Sequence, residues 1–221
     1  NMHILLTRPL EDCSEMIFRF KSLEHQVSHL PLLNIGKMNY EEIDFSDYGG
    51  IVFTSSNAIK FLDTKYIDKK ILCFCVGGAT EKKARNIGFQ NVFAADGNVE
   101  NLKELILINF DQKDGKLIYV SGDVVAVDLE KQLLNEGYNI KRIINYKTNH
   151  NEKFGKDFVK ELKLNIPDIV YIYSQNSALS FLNFIKTNQL ESLWMETNLM
   201  CLGEKTSSIL NEIKWKKIFL F

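Results

Sequence analysis

The thirteen residues Gly50-Ile51-Val52-Phe53-Thr54-Ser55-Ser56-Asn57-Ala58-Ile59-Lys60-Phe61-Leu62 constrain the fold more than any other stretch. A short run rich in β-branched and aromatic residues stops at a cluster of small polar groups. Apolar residues then return at helical spacing, with Ala58, Phe61 and Leu62 on one face. This pattern predicts a buried strand turning directly into a helix. The polar cluster falls where a helix start leaves backbone N–H groups without partners, a position suited to an N-cap or to an anion. The same arrangement returns at Asp168-Ile169-Val170-Tyr171-Ile172-Tyr173-Ser174-Gln175-Asn176-Ser177-Ala178-Leu179-Ser180-Phe181-Leu182.

The repeat extends well beyond these two stretches. Cys75-Val76-Gly77-x-x-Thr80 through Phe93 matches Cys201-Leu202-Gly203-x-x-Thr206 through Phe219, and Ile4-Leu5-Leu6-Thr7-Arg8 matches Ile118-Tyr119-Val120-Ser121-Gly122. The chain is therefore two copies of one α/β domain in the order A, B, A′, B′. Polar segments at about 34–49 and 147–152 predict that one copy is inserted in the other. The expected outer domain is 2–33 plus 153–221, the inserted domain is 40–145, and 34–39 with 146–152 are linker strands. Each domain has five expected strands alternating with helices, so the fold class is α/β with two flavodoxin-like parallel sheets. The two crossings would form a two-stranded hinge with a cleft between the domains, and such a hinge permits closure on a ligand.

Local signals fill in the rest. A helix is expected from about Glu11 to Glu24 with Met16, Ile17, Phe20 and Leu23 inward, and a strand from Val27 to Leu33. Asn34 to Asp47 reads as irregular. The next helix, Val99 to Phe110, turns Leu102, Leu105, Ile106 and Phe110 inward, and Gly88 and Gly137 read as helix C-caps. Ile140 to Tyr146 reads as a strand.

The net charge of −1 gives no basic field for nucleic acid, and no apolar run approaches the roughly 20 residues of a membrane span. His3 to Leu6 reads as a strand with no charged and apolar leader before it, so a cytoplasmic location without a signal peptide is expected. Cys13, Cys73, Cys75 and Cys201 lack neighbouring ligands at metal-binding spacing, so buried reduced thiols and no metal are expected.

Ligands of open parallel sheets sit beyond the carboxyl ends of the strands. Those ends carry Thr7-Arg8, Thr54-Ser55-Ser56-Asn57, Gly77-Gly78-Ala79-Thr80, Ser121-Gly122-Asp123, Ser174-Gln175-Asn176-Ser177 and Gly203-Glu204-Lys205-Thr206. Glycine lets a ligand reach the backbone, and Ser, Thr and Asn add donors. The candidate binding residues are Arg8, Thr54, Ser55, Ser56, Asn57, Gly77, Thr80, Ser121, Gly122, Asp123, Ser174, Gln175, Asn176, Ser177, Gly203 and Thr206. Each of them also suits a plain cap or turn, and their symmetry between two domains is what favours a site for an elongated polyanion.

Sharper motifs are missing: no G-x-G-x-x-G after a strand, no P-loop and no G-x-S-x-G elbow. A receiver domain would carry acidic residues where this chain has Thr7 and Arg8. Tyr146 ends an apolar strand where the chain crosses between domains. It reads either as a packed strand aromatic or as a phenol that donates a hydrogen bond to a leaving group.

In order and spacing, Leu5-Leu6-Thr7-Arg8-Pro9, Phe53-Thr54-Ser55-x-Asn57-Ala58, Val76-Gly77-x-x-Thr80, Ser121-Gly122-Asp123, Tyr146-x-Thr148 and Leu202-Gly203-x-x-Thr206 resemble the uroporphyrinogen-III synthases. The resemblance covers nearly the whole chain. It implies two α/β domains, one inserted in the other, and a lyase that uses no cofactor. The implied substrate is hydroxymethylbilane, a linear tetrapyrrole with eight carboxylates, which closes to uroporphyrinogen III with loss of water and inversion of ring D. The family tyrosine that assists departure of the hydroxyl falls on Tyr146. Ala126 stands where the family often has arginine, Glu204-Lys205 replaces a usual Pro-Thr, and the chain ends at Phe221 where many members continue into a helix. A monomer is expected. The rival readings are a non-catalytic sensor of tetrapyrroles or other polyanions with the same fold, and a flavodoxin-like redox protein.

Overall fold

The computed structural model describes residues 1–151 and 154–221. It divides into two units, one of Asn1–Asn34 with Asn149–Phe221 and the other of Ile35–Thr148. The expected boundary at 152/153 falls on Glu152 and Lys153, outside the described residues.

The chain opens with β1 (His3–Leu6), α1 (Leu10–Ser22) and β2 (Gln26–His29). It enters the second unit along β3 (Leu33–Lys37) and continues through β4 (Tyr48–Phe53), α2 (Ser56–Lys60), β5 (Leu72–Val76), α3 (Gly78–Asn86) and β6 (Asn91–Ala95). There follow α4 (Val99–Asn109), β7 (Lys116–Gly122), α5 (Leu129–Asn135) and the long β8 (Ile140–His150), along which the chain returns. The first unit is completed by α6 (Lys156–Leu164), β9 (Ile169–Ile172), α7 (Gln175–Thr187), β10 (Asn198–Cys201), α8 (Glu204–Ile209) and β11 (Lys217–Leu220).

In the first unit the sheet order is β2-β1-β9-β10-β11, parallel throughout. Numbered along its own chain this is 2-1-3-4-5, the flavodoxin order. The second sheet runs β8-β7-β4-β5-β6, also parallel, with β3 added beside β8. The repeat equates β1 with β7, β2 with β8, and β9, β10, β11 with β4, β5, β6. Both sheets thus place equivalent strands in equivalent positions, but the second is entered at its central strand β4. It is a circular permutation of the first, as an A, B, A′, B′ order with B pairing A′ requires.

Strands buried on both faces need apolar residues at every position, and the central ones have them. In β4, Ile51 and Phe53 pack with Ala58, Ile59 and Phe89 on one side, while Val52 packs with Leu102, Ile106 and Phe110 on the other. In the first unit Leu5, Val170, Ile172 and Leu199 meet Phe181, Phe184 and Trp194, and Ile4 and Leu6 meet Cys13 across the sheet.

Four expectations need correction. The strand expected over 27–33 stops at His29, and the chain resumes as β3 after Pro31, whose missing N–H breaks a ladder. The segment 34–47, read as irregular but with a linker strand expected over 34–39, begins with β3 and includes a short 3-10 turn at Phe45–Asp47. Met38 N–H bonds the Asn145 carbonyl and Asn151 N–H the Leu32 carbonyl, a register that runs β3 and β8 antiparallel. Pairing with β3 also carries β8 on through Lys147–His150, so the strand expected to end at Tyr146 is continuous with the linker strand expected from 146. Leu23, expected to face inward, is 66% exposed, because α1 ends at Ser22 and Glu24 takes a positive φ of 65°.

All four cysteines are buried and free. Burial raises Cys75 and Cys201 from an ordinary 9.0 to about 11 and pushes the Cys73 thiol higher still. The unfolded chain therefore releases these protons at lower pH than the folded one, so stability is intact below about pH 9 and falls as pH rises toward 11. The urea midpoint should hold steady from pH 7 to about 8.5 and then decline. A midpoint constant to about pH 10.5 would contradict this.

Candidate active site

Each sheet has one switch point, where chain connections leave in opposite directions and open a crevice at the carboxyl ends of the strands. In the second unit it lies between β4 and β7, at Thr54–Asn57 and Ser121–Asp123. Tyr146 is brought there by an irregularity in β8. Ser121 pairs with Ile144 and Gly122 with Tyr146, so Asn145 is an extra residue in the ladder. Such a bulge re-aims the side chains that follow it. Ile140 packs on the Leu117–Tyr119 side of the sheet and Ile143 on the Ile118–Val120 side; Tyr146 joins Ile143, where unbroken alternation would have sent it to the other face.

The bulge is pinned on both sides. Asn145 is fully buried; its side-chain amide donates to the Ala58 carbonyl on α2 at 2.8 Å and its own carbonyl accepts from Met38 N–H. The Tyr146 ring then lies against Gly122, where an added Cβ would sit 2.5 Å from both Cε2 and Cζ and 2.9 Å from the hydroxyl. Phe61 flanks the ring, with centroids 6.1 Å apart. Asp123 brackets the same residue through the backbone: its N–H donates to the Tyr146 carbonyl, and its Oδ1 accepts from Thr148 N–H at 3.0 Å.

Tyr146 is 8% exposed. Burial raises its pKa above the ordinary tyrosine value; hydrogen bonding with the Ser55 side chain and the Gly122 backbone opposes this in part, Asp123 adds to it, and Arg142 weakly opposes it. The phenol therefore stays protonated across the neutral range and can act as a donor. Beside it, Ser55 also caps α2, accepting from Asn57 N–H at 3.1 Å. Thr54 Oγ1 lies 3.0 Å from the buried Tyr119 hydroxyl. Ser56 and Asn57, half-buried, form the first turn of α2, a helix of only five residues.

The other expected residues have the following places. Gly77 and Gly203 precede α3 and α8 at φ of 91° and 84°, a conformation that a side chain strains. Thr80 and Thr206 are buried under those first turns. In the first unit the switch point lies between β1 and β9. There the Arg8 guanidinium stacks 4.6 Å from the Tyr173 ring centroid, and His29 Nε2 bonds the Arg8 carbonyl at 2.6 Å. Ser174 caps α7 by accepting from Ser177 N–H, while Gln175 is exposed and Asn176 half-buried. Ser121 and Ser177 are buried, and both hydroxyls already have protein partners. Arg142, Asn145 and Tyr119 were not singled out from sequence. A signal for Asn145 does exist, since it interrupts the apolar run Ile143-Ile144-Asn145-Tyr146 with an amide. Among the described residues no cluster of three His, Cys, Asp or Glu could hold a metal, and no helix is long and apolar enough to cross a membrane.

Two copies of a doubly wound parallel sheet, the second permuted relative to the first and with a protonated tyrosine set into its switch point, define a repeat-built α/β protein. The family model for uroporphyrinogen-III synthase HemD matches residues 14–219, nearly the full chain. The chain belongs to the uroporphyrinogen-III synthase family. Among solved structures it is similar to the uroporphyrinogen-III synthetase of Helicobacter pylori 26695, at 16% identity and a TM-score of 0.64, covering 100% of this chain and 92% of that one. It is also similar to a mutant uroporphyrinogen III synthase of the extremely thermophilic bacterium Thermus thermophilus, at 13% identity and a TM-score of 0.57, covering 99% and 92%. These likenesses bear on the fold. No curated protein shows significant sequence similarity to the chain.

Proposed function

We propose that this chain is a lyase that converts hydroxymethylbilane to uroporphyrinogen III, releasing one water and inverting ring D, and that it works as a cytoplasmic monomer. The observation that carries the reading beyond family membership is Tyr146, a phenol kept neutral by burial and aimed by a bulge into a switch-point crevice. The phenol gives its proton to the departing hydroxyl, which leaves as water with the electron pair of the broken C–O bond, and the phenolate takes up the proton released later as the macrocycle forms. The azafulvene cation that remains is attacked by the substituted carbon of ring D. Fragmentation and reclosure then turn the ring, and a proton is lost as the macrocycle forms.

The rest of the site's work is positioning. Carboxylates are matched by backbone N–H groups and hydroxyls at the strand ends, without need of a strongly basic surface. Holding the cation so that ring D closes through its substituted carbon is an orientation effect of a kind that supplies several kcal/mol.

A coupled assay tests this directly. Porphobilinogen and its deaminase supply the bilane, and oxidised products are separated by isomer. Without a synthase the bilane closes by itself to isomer I. Isomer III is the expected product; isomer I alone from folded protein would sink the reading. Sedimentation at assay concentration checks the monomer.

A further inference from the structure

We infer that Arg142 is a positioning residue for the reaction: from the sheet face opposite Tyr146, it fixes the Ser121–Asp123 turn against which the phenol lies. The inference rests on the proposed role of Tyr146. Along β7, Leu117 and Tyr119 face one core cluster while Ile118 and Val120 face the other. Alternation puts Ser121 on the Tyr119 face and Gly122 on the Val120 face, under the Tyr146 ring. On β8, Arg142 precedes the bulge and shares the face of Ile140.

From there its half-buried guanidinium reaches the end of β7. Nε donates to Ser121 Oγ at 2.8 Å, and Nη2 donates to the Gly122 carbonyl at 2.7 Å and the Asp123 carbonyl at 3.2 Å. Its own backbone N–H is tied to the Glu130 carboxylate at 2.8 Å, which anchors the strand to α5. The turn is therefore gripped at three consecutive residues by one planar group. Two of the three also meet Tyr146, Gly122 through ring contact and Asp123 through backbone pairing. The bulge interrupts the ladder beside this turn, and the three guanidinium bonds add to the backbone pairs that hold it. A lysine has one ammonium in place of the fork and cannot hold three acceptors in a plane.

The test is a double-mutant cycle between Arg142→Met and Tyr146→Phe, with isomer III formation as readout and kcat and KM measured separately. Arg142→Met alone should lower kcat by about tenfold or more while KM stays within about threefold. In the Tyr146→Phe background the same change should cost less than about twofold, because its effect passes through the phenol. Arg142→Lys should fall between wild type and Arg142→Met, since charge without the fork restores only part of the geometry. If Arg142→Met does not fold, the Arg142→Lys cycle is judged by the same criterion.

Equal losses in both backgrounds, or no loss from either Arg142 variant, would overturn the inference while leaving the functional reading in place. Full rescue by lysine would overturn it in favour of a charge effect. A wild type that makes only isomer I would overturn the functional reading and this inference with it, and would be seen before any variant is made.

Discussion

Replacing Gly122 by alanine should cost about 1–3 kcal/mol of stability and lower isomer III formation by on the order of 100-fold. The new Cβ would lie 2.5 Å from two ring carbons of Tyr146, well inside contact distance. The ring cannot yield easily, because its backbone is held by Asp123 and its strand by the Asn145 bulge. The phenol must therefore swing away from Ser55, and a displacement of about 1 Å is enough for a loss of this size. The collision is with carbons as well as with the hydroxyl. Tyr146→Phe should thus leave most of the stability penalty of Gly122→Ala in place, whereas Tyr146→Ala should relieve it, giving a favourable coupling energy in urea denaturation. A Gly122→Ala variant that melts and turns over like wild type would mean that the ring and the turn are not packed as described.

That close approach shows where sequence reasoning reached and where it stopped. Buried strands such as Ile51-Val52-Phe53, helix starts at Ser55 and Ser174, and the internal repeat were legible, because alternation, capping and self-similarity are local properties of a chain. That Tyr146 belongs to a strand was legible too, although the strand runs on to His150 instead of ending there. Its orientation was not, since one extra residue at Asn145 flips the face that alternation assigns, and a bulge depends on partners as distant as Ala58 and Met38. Arg142 was silent for a similar reason: within Ile140-Lys141-Arg142-Ile143 it reads as one of two ordinary basic residues, and only pairing with β7 reveals its three acceptors. Asp123 was expected to bind substrate; its visible work is to clamp the backbone at Tyr146 and Thr148. The linker strand expected over 34–39 appears as β3 at Leu33–Lys37, its bounds shifted because a polar two-stranded ribbon has no apolar alternation to mark them.

The second large effect is expected from Tyr146→Phe, which removes one oxygen and little else. The fold should survive it: the ring stays against Gly122 and Phe61, and loss of the hydrogen bonding with Ser55 and the Gly122 backbone costs about 0.5–1.5 kcal/mol. Activity should not survive as well. Donation to a departing group contributes about 100-fold or more when the donor is placed and protonated, so kcat should fall by that order with KM changed by less than about threefold. The product mixture should report the same loss independently. Bilane that is no longer turned over closes by itself, so isomer I should rise as isomer III falls. Because burial holds the phenol's pKa above the ordinary tyrosine value of about 10, the difference between wild type and variant should persist without change from pH 7 to about 9.5. A difference that vanished near neutral pH would mean that some other group supplies the proton. Undiminished isomer III from the phenylalanine variant would return Tyr146 to the role of a packed aromatic, and would place the chemistry in the donor-rich turns alone.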